Sequence, residues 1–141
     1  MKRRPASTPL AEALARVGDR WTLLVVAALL PGPKRFNELQ DELDGIAPNV
    51  LSARLKLLGE QALVVSRPYS ERPPRFVYEL TSGGAELAGA LRLLADWGAR
   101  HAEAAEPLRH EICGSALEVR WWCPACELPV EEGVADEGEL I

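Results

Sequence analysis

Four residues able to bind a soft metal ion fall within one span: His110, Cys113, Cys123 and Cys126, and the chain's three cysteines are all among them. The pattern is H-x2-C-x9-C-x2-C. An x2 spacing lets the first and fourth residues of a tight turn reach one ion, and the x9 segment is long enough for a hairpin that joins the two pairs. Four nitrogen and sulfur ligands suit a closed, structural, tetrahedral Zn(II) site. Thiolates select zinc over hard cations such as magnesium or calcium. His110 is the weakest member, replaceable by water or by a neighbouring acid such as Glu111. Other chemistries of the same residues stay open. They are free thiols in an acidic tail, a regulatory disulfide, and dithiol redox at Trp122-Cys123-Pro124-Ala125-Cys126. The last requires a thiol at a helix N-terminus within a βαβ fold, and the residues after Cys126 are acidic and glycine-containing.

A second set of residues could recognise DNA. Phe36, Leu39 and Leu43 carry a helical period that Asp44-Gly45 ends, and Leu51, Leu55 and Leu58 resume it. Two short amphipathic helices around a glycine turn make a helix-turn-helix. With its leucines inside, the second helix keeps Asn49, Ser52, Ala53 and Lys56 outside. That face is small, polar and free of acids, and can approach base edges in a major groove. Pro48 opens the helix.

The elements that must position this helix are legible on both sides. Pro9 starts a helix with Leu10, Leu14 and Val17 on one face, ended by Gly18. Asp19 caps the next helix, Arg20 to Leu30, which is apolar nearly all round and is expected to be the central core helix. Pro31-Gly32-Pro33 breaks it, and Lys34-Arg35 leads into the helix-turn-helix with cations suited to phosphate. Beyond Leu63 the period falls to two. LVVSRPY and FVYELT flank the turn cluster SERPPR and read as a hairpin carrying Arg67, Arg72 and Arg75. A basic hairpin after a recognition-type helix is a wing, with Arg72 at its tip placed in or near a minor groove. Thr81-Ser82-Gly83-Gly84 then opens a long helix, about residues 85–105. Its stripe of Leu87, Leu91, Leu94 and Trp97 is wider than one small domain can cover, which predicts dimerisation.

Charge is divided unevenly. The net charge is −5, yet residues 1–109 hold 15 of the 16 basic and 13 of the 21 acidic residues and carry +2, while residues 110–141 carry −7. The acid lies in the tail, so total charge does not argue against a nucleic-acid partner for the first part. No apolar run approaches the roughly 18 residues that span a bilayer, and MKRRPASTPL has no apolar segment of a secretory signal. A cytoplasmic location without membrane contact is expected. No Ser/His/Asp arrangement and no glycine-rich phosphate loop supports an enzyme.

These residues together resemble the HxlR family of bacterial winged helix-turn-helix regulators. The resemblance rests on Gly18-Asp19-Arg20-Trp21-Thr22-Leu23-Leu24, Arg35-Phe36-Asn37-Glu38-Leu39, Gly45-Ile46 and Leu51-Ser52-Ala53-Arg54-Leu55-Lys56-Leu57-Leu58. It continues through Arg67, Pro73 to Thr81, Gly84 and Trp97, and covers about residues 8–105. It implies a homodimer that binds double-stranded DNA, with an architecture related to the MarR group. Many members carry Cys-Pro near the N-terminus, and in some that cysteine senses oxidants. Here the position is Thr8-Pro9, so that sensor is not carried over.

The expected organisation is a mainly α, α+β chain. A basic tail (1–8) precedes a winged helix-turn-helix with a long terminal dimerisation helix (9–106). An acidic Cys/His-containing, zinc-ribbon-like extension follows (107–141). The expected function is sequence-specific transcriptional regulation, read as repression, from an inverted-repeat operator. The DNA-contacting candidates are Lys34, Arg35, Pro48, Asn49, Ser52, Ala53, Lys56, Arg67, Arg72 and Arg75. The alternative is a thiol/disulfide redox protein or a redox-sensing regulator using Cys123 and Cys126.

Overall fold

A cluster of buried aliphatic side chains from three helices and one strand organises the first part of the chain. Val25, Val26 and Leu29 meet Leu39 and Leu43, then Leu51, Leu55 and Leu58, with Val64 closing the set. The computed structural model describes residues 7–103 and 106–130. Residues 1–6 of the expected basic tail (1–8), residues 104–105 of the expected long helix and residues 131–141 of the expected acidic extension (107–141) lie outside the described residues. Among the described residues no helix is long and apolar enough to cross a membrane.

The elements run α1 (Pro9–Val17), α2 (Arg20–Leu29), β1 (Lys34–Arg35), α3 (Phe36–Glu42), α4 (Pro48–Glu60), β2 (Val64–Glu71), β3 (Pro74–Leu80), α5 (Ser82–Ala85), α6 (Ala88–His101), β4 (Trp121–Cys123) and β5 (Leu128–Val130). The chain divides into two compact units between Leu91 and Arg92.

The starts of α1 and α2 follow from local chemistry. Thr8 caps α1, its hydroxyl accepting from the Ala11 amide at 3.1 Å, with proline next. Asp19 caps α2 by accepting from the amides of Trp21 and Thr22. Gly45 supplies the left-handed turn, φ 81°, between α3 and α4. Helix α2 is the core helix that the sequence predicts. Thr22 is fully buried in it, whereas Leu24 is exposed.

The wing is larger than its turn signals imply. Strands β2 and β3 pair antiparallel out to Glu71 and Pro74, leaving Arg72-Pro73 as the tip. A bulge at Tyr69 interrupts the register, and Pro68 is tolerated because β2 is an edge strand. The two residues of β1 add a third strand on the other side of β3, with Lys34 opposite Tyr78 and Arg35 opposite Val77. This strand has no sequence period and was not expected.

The single helix expected over residues 85–105 is a correction. Two helices, α5 and α6, are separated at Glu86-Leu87. Thr81 caps α5 through its hydroxyl, and Gly84 is buried where any Cβ would fall on the Leu63 carbonyl oxygen. That close approach, together with the Leu87 amide bonding back to the Gly84 carbonyl at 3.2 Å, turns the chain before α6 begins. Leu87 and Leu91 pack against the core. Further along α6, Leu93, Leu94 and Trp97 are exposed.

Asp19 does more than cap. Its two carboxylate oxygens take the Arg54 guanidinium as a fork, at 2.8 and 3.1 Å, which ties the start of α2 to the middle of α4. Arg54 is the main cause that holds the Asp19 carboxyl below its ordinary 3.8. Since the folded value is the lower one, this stabilisation is full above 3.8 and is lost as pH falls through the folded value. Asp19→Asn keeps a capping side chain and removes the charge. It should cost about 1 kcal/mol at neutral pH, a small figure because the pair is partly exposed. Asp19→Ala also loses the cap and should cost about 1 kcal/mol more. Urea unfolding across pH should show the gap between wild type and Asp19→Asn closing below about pH 4.

Candidate nucleic-acid interface

Burial of Leu51, Leu55 and Leu58 leaves one face of α4 to solvent. Pro48, Asn49, Ser52, Ala53 and Lys56 are all exposed on it. The i, i+3, i+4, i+7 spacing from Asn49 to Lys56 makes them one stripe. No hydrogen bond or ion pair among the described residues occupies the side chains of Asn49, Ser52 or Lys56. Their donors and acceptors face outward on a helix whose first turn is free of acids.

The C-terminus of α4 aims the chain into the wing. Ala62 sits in the left-handed region, φ 57°. The Leu63 amide bonds back to the Leu58 carbonyl at 2.9 Å, and the Ala62 amide to that of Gly59 at 3.1 Å. These are the two bonds of a Schellman cap. The far end of the wing returns to the same point. The Thr81 hydroxyl donates to the Ala62 carbonyl at 2.6 Å, and the Thr81 amide to that of Leu63 at 3.0 Å. Both ends of the hairpin are thus fastened to the end of α4.

The sequence-nominated cations divide into two groups. Arg72 at the wing tip and Arg75 beside it have no ion-pair partner among the described residues. Lys34, Arg35 and Arg67 are each held by a carboxylate. Lys34 pairs with Glu42, Arg35 with Glu38 at 2.6 Å, and Arg67 with Glu79 at 2.8 Å. Arg35 also meets the Tyr69 hydroxyl and is the main cause that lowers the Glu38 carboxyl. Sequence reasoning missed these partners, and it missed the Asp19–Arg54 fork. An acidic residue three positions after Arg35 was the one local signal available.

The Cys/His residues form two pairs. The His110 Nδ1 and Cys113 Sγ are 3.3 Å apart. The Ser115 hydroxyl, the Ser115 amide and the His110 ring lower the Cys113 thiol from 9.0 to about 7. Cys123 lies beside Cys126, and the amides of Cys126 and Ala125 lower its thiol. No disulfide joins the three cysteines. Among the described residues no three His, Cys, Asp or Glu side chains converge on one point, so the four expected ligands stand as two pairs. The strand expected over LEVRWW is confined to its end, Trp121-Trp122, continuing into Cys123.

Comparison with known proteins places this architecture. Residues 16–106 match the HxlR-like helix-turn-helix family. The chain belongs to the HxlR-like family. It is 39% identical over 118 residues to the uncharacterized HTH-type transcriptional regulator Rv3095 of Mycobacterium tuberculosis, covering 81% of this chain and 74% of the relative. The reduced form of the transcriptional regulator YodB from B. subtilis is 30% identical with a TM-score of 0.58, covering 70% of this chain and 98% of that one. The crystal structure of PA1607, a putative transcription factor, is 28% identical with a TM-score of 0.74 and covers 95% of this chain and 97% of that one. This last likeness reaches beyond the winged helix into the extension. The family is one of transcriptional regulators and not of enzymes.

For this HxlR-like regulator the two groups of cations should separate in a salt titration. Arg72→Ala should lower the slope of log affinity against log salt by about one, as loss of one phosphate contact does. Arg67→Ala should change it by less than half as much, since Glu79 already neutralises that charge. Fluorescence anisotropy with a labelled duplex at several salt concentrations checks both.

Proposed function

We propose that the chain is a sequence-specific repressor that binds an inverted-repeat operator as a homodimer. One observation carries the reading: α4 presents an unpartnered stripe of Asn49, Ser52, Ala53 and Lys56, and its end fastens a hairpin bearing Arg72 and Arg75. In the proposed complex α4 enters a major groove. Asn49 and Ser52 address base edges, Pro48 and Ala53 allow close approach, and Lys56 takes a phosphate. Arg72 and Arg75 follow the backbone into the adjacent minor groove. Lys34, Arg35 and Arg67, each already paired with a carboxylate, contribute less to phosphate binding.

The homodimer is supported by apolar side chains that remain exposed among the described residues. Helix α6 contains no buried residue, and Leu94 and Trp97 are 54% and 58% exposed. Leu10 and Leu14 of α1 are likewise exposed. Covering such side chains is worth roughly 25 cal/mol per Å² of apolar area, and a second copy of the chain would present the same helices. A second reading, redox sensing through Cys123 and Cys126, is supported by the contact between these two side chains. It requires DNA affinity to change on thiol oxidation in wild type and not in Cys123→Ser.

Asn49→Ala should relax base preference at one position, at a cost of roughly 1–3 kcal/mol on the cognate site. Lys56→Ala should weaken binding to every sequence alike. Equal binding of wild type and an Asn49→Ala/Lys56→Ala double variant to the operator would refute the assignment of α4. Light scattering should give a dimer, and footprinting should show half-site centres about one helical turn apart. Leu94→Asp with Trp97→Ser should give a monomer with weakened operator binding.

A further inference from the structure

The extension after Pro107 contains two turns of matching construction. In the first, the Gly114 amide bonds to the His110 carbonyl at 2.8 Å, and Gly114 is left-handed at φ 71°. In the second, the Glu127 amide bonds to the Cys123 carbonyl at 2.8 Å, and Glu127 is left-handed at φ 54°. Each turn therefore spans a ligand, two residues, a second ligand, and then a left-handed residue that reverses the chain. A non-glycine residue in that conformation is uncommon, so Glu127 is held there by the turn itself. Each turn also closes a small antiparallel pairing. Arg109 bridges Ala116 around the first, and β4 pairs with β5 around the second.

Within each turn the two ligand side chains lie together, and backbone amides point at sulfur. The Ser115 amide meets Cys113, and the amides of Ala125 and Cys126 meet Cys123. Amide donors around a sulfur suit a thiolate that shares its charge with a cation.

Burial does not hold these turns. No described residue from 106 to 130 is buried; Ile112 is 88% exposed, Trp122 61% and Leu128 62%. A segment this short, without a core, needs a cross-link to stay ordered. No disulfide joins the three cysteines to supply it.

We infer that the two turns are the halves of one structural Zn(II) site, with His110 and Cys113 from the first and Cys123 and Cys126 from the second, and that the ion draws them together. The ion is the cross-link this segment needs. Its ligands are one imidazole and three thiolates, a set that favours zinc over hard cations. With four protein ligands no coordination position is left for water or substrate, so the site orders the extension and performs no reaction. Binding and ordering are one event, because the pairs converge only around the ion.

The test uses the full chain, expressed without a histidine tag and kept reduced. Elemental analysis should give about one zinc per chain. Cys113→Ser and Cys123→Ser should each lose it while circular dichroism of the winged helix is unchanged. Cobalt(II) added to metal-free protein should give the visible bands of a tetrahedral site and a thiolate charge-transfer band. Chelation should raise hydrogen exchange over residues 106–130 and leave residues 20–80 protected. Metal-free reduced protein with no tetrahedral cobalt spectrum would overturn the inference. So would zinc that Cys113→Ser leaves unchanged, which confines binding to the second turn, or a Cys123–Cys126 disulfide in the protein as isolated.

Discussion

The packing of α4 on α2 through leucine is the constraint on which the winged helix depends. Leu51, Leu55 and Leu58 share one cluster with Val25, Val26 and Leu29. Burying each leucine contributes roughly 1.5–3 kcal/mol. Turning α4 by one residue, about 100°, would expose that stripe and bury Asn49 or Ser52 without partners. The outward direction of the polar stripe is therefore a consequence of the core. The Asp19–Arg54 fork adds a polar restraint on the same rotation from outside the core. Arg54 lies beside the exposed polar stripe in sequence, yet its charge is directed to a helix cap.

The wing extends this rigidity beyond the core. Its two ends meet at Ala62 and Leu63, through the Thr81 hydroxyl and amide, and Gly84 leaves room for the Leu63 carbonyl. A side chain at position 84 would push the start of α5 away from that point and loosen the hairpin at its base. The third strand, β1, is held by Lys34 reaching Glu42 and by Arg35 reaching Glu38. Ion pairs that build the scaffold thus use three of the cations that composition alone would assign to DNA. On α4 and the wing, Lys56, Arg72 and Arg75 have no ion-pair partner among the described residues.

Thr8 has a local structural role. In this chain it caps α1 through its hydroxyl. A hydroxyl performs that task and cannot be oxidised as a thiol can. All three cysteines lie in the extension, where backbone amides meet Cys113 and Cys123. The winged helix is held by a hydrophobic core, whereas the extension folds as tight turns whose side chains remain exposed.

Sequence by itself determined what depends on neighbours along the chain. The leucine period placed α3 and α4, Asp19 and Gly45 set a start and a turn, and strict alternation placed the hairpin. The x2 spacings foretold two turns that bring His110 to Cys113 and Cys123 to Cys126. These are local effects of backbone geometry and capping. Tertiary structure alone decided the rest. Strand β1 exists because β3, some forty residues later, offers it an edge. The terminal helix breaks because Gly84 must pass the Leu63 carbonyl. Which cations stay free depends on carboxylates such as Asp19 and Glu79, which the fold carries to Arg54 and Arg67. Charge pairing and close backbone approach are set by distance in space, and no period or spacing along the chain encodes that distance.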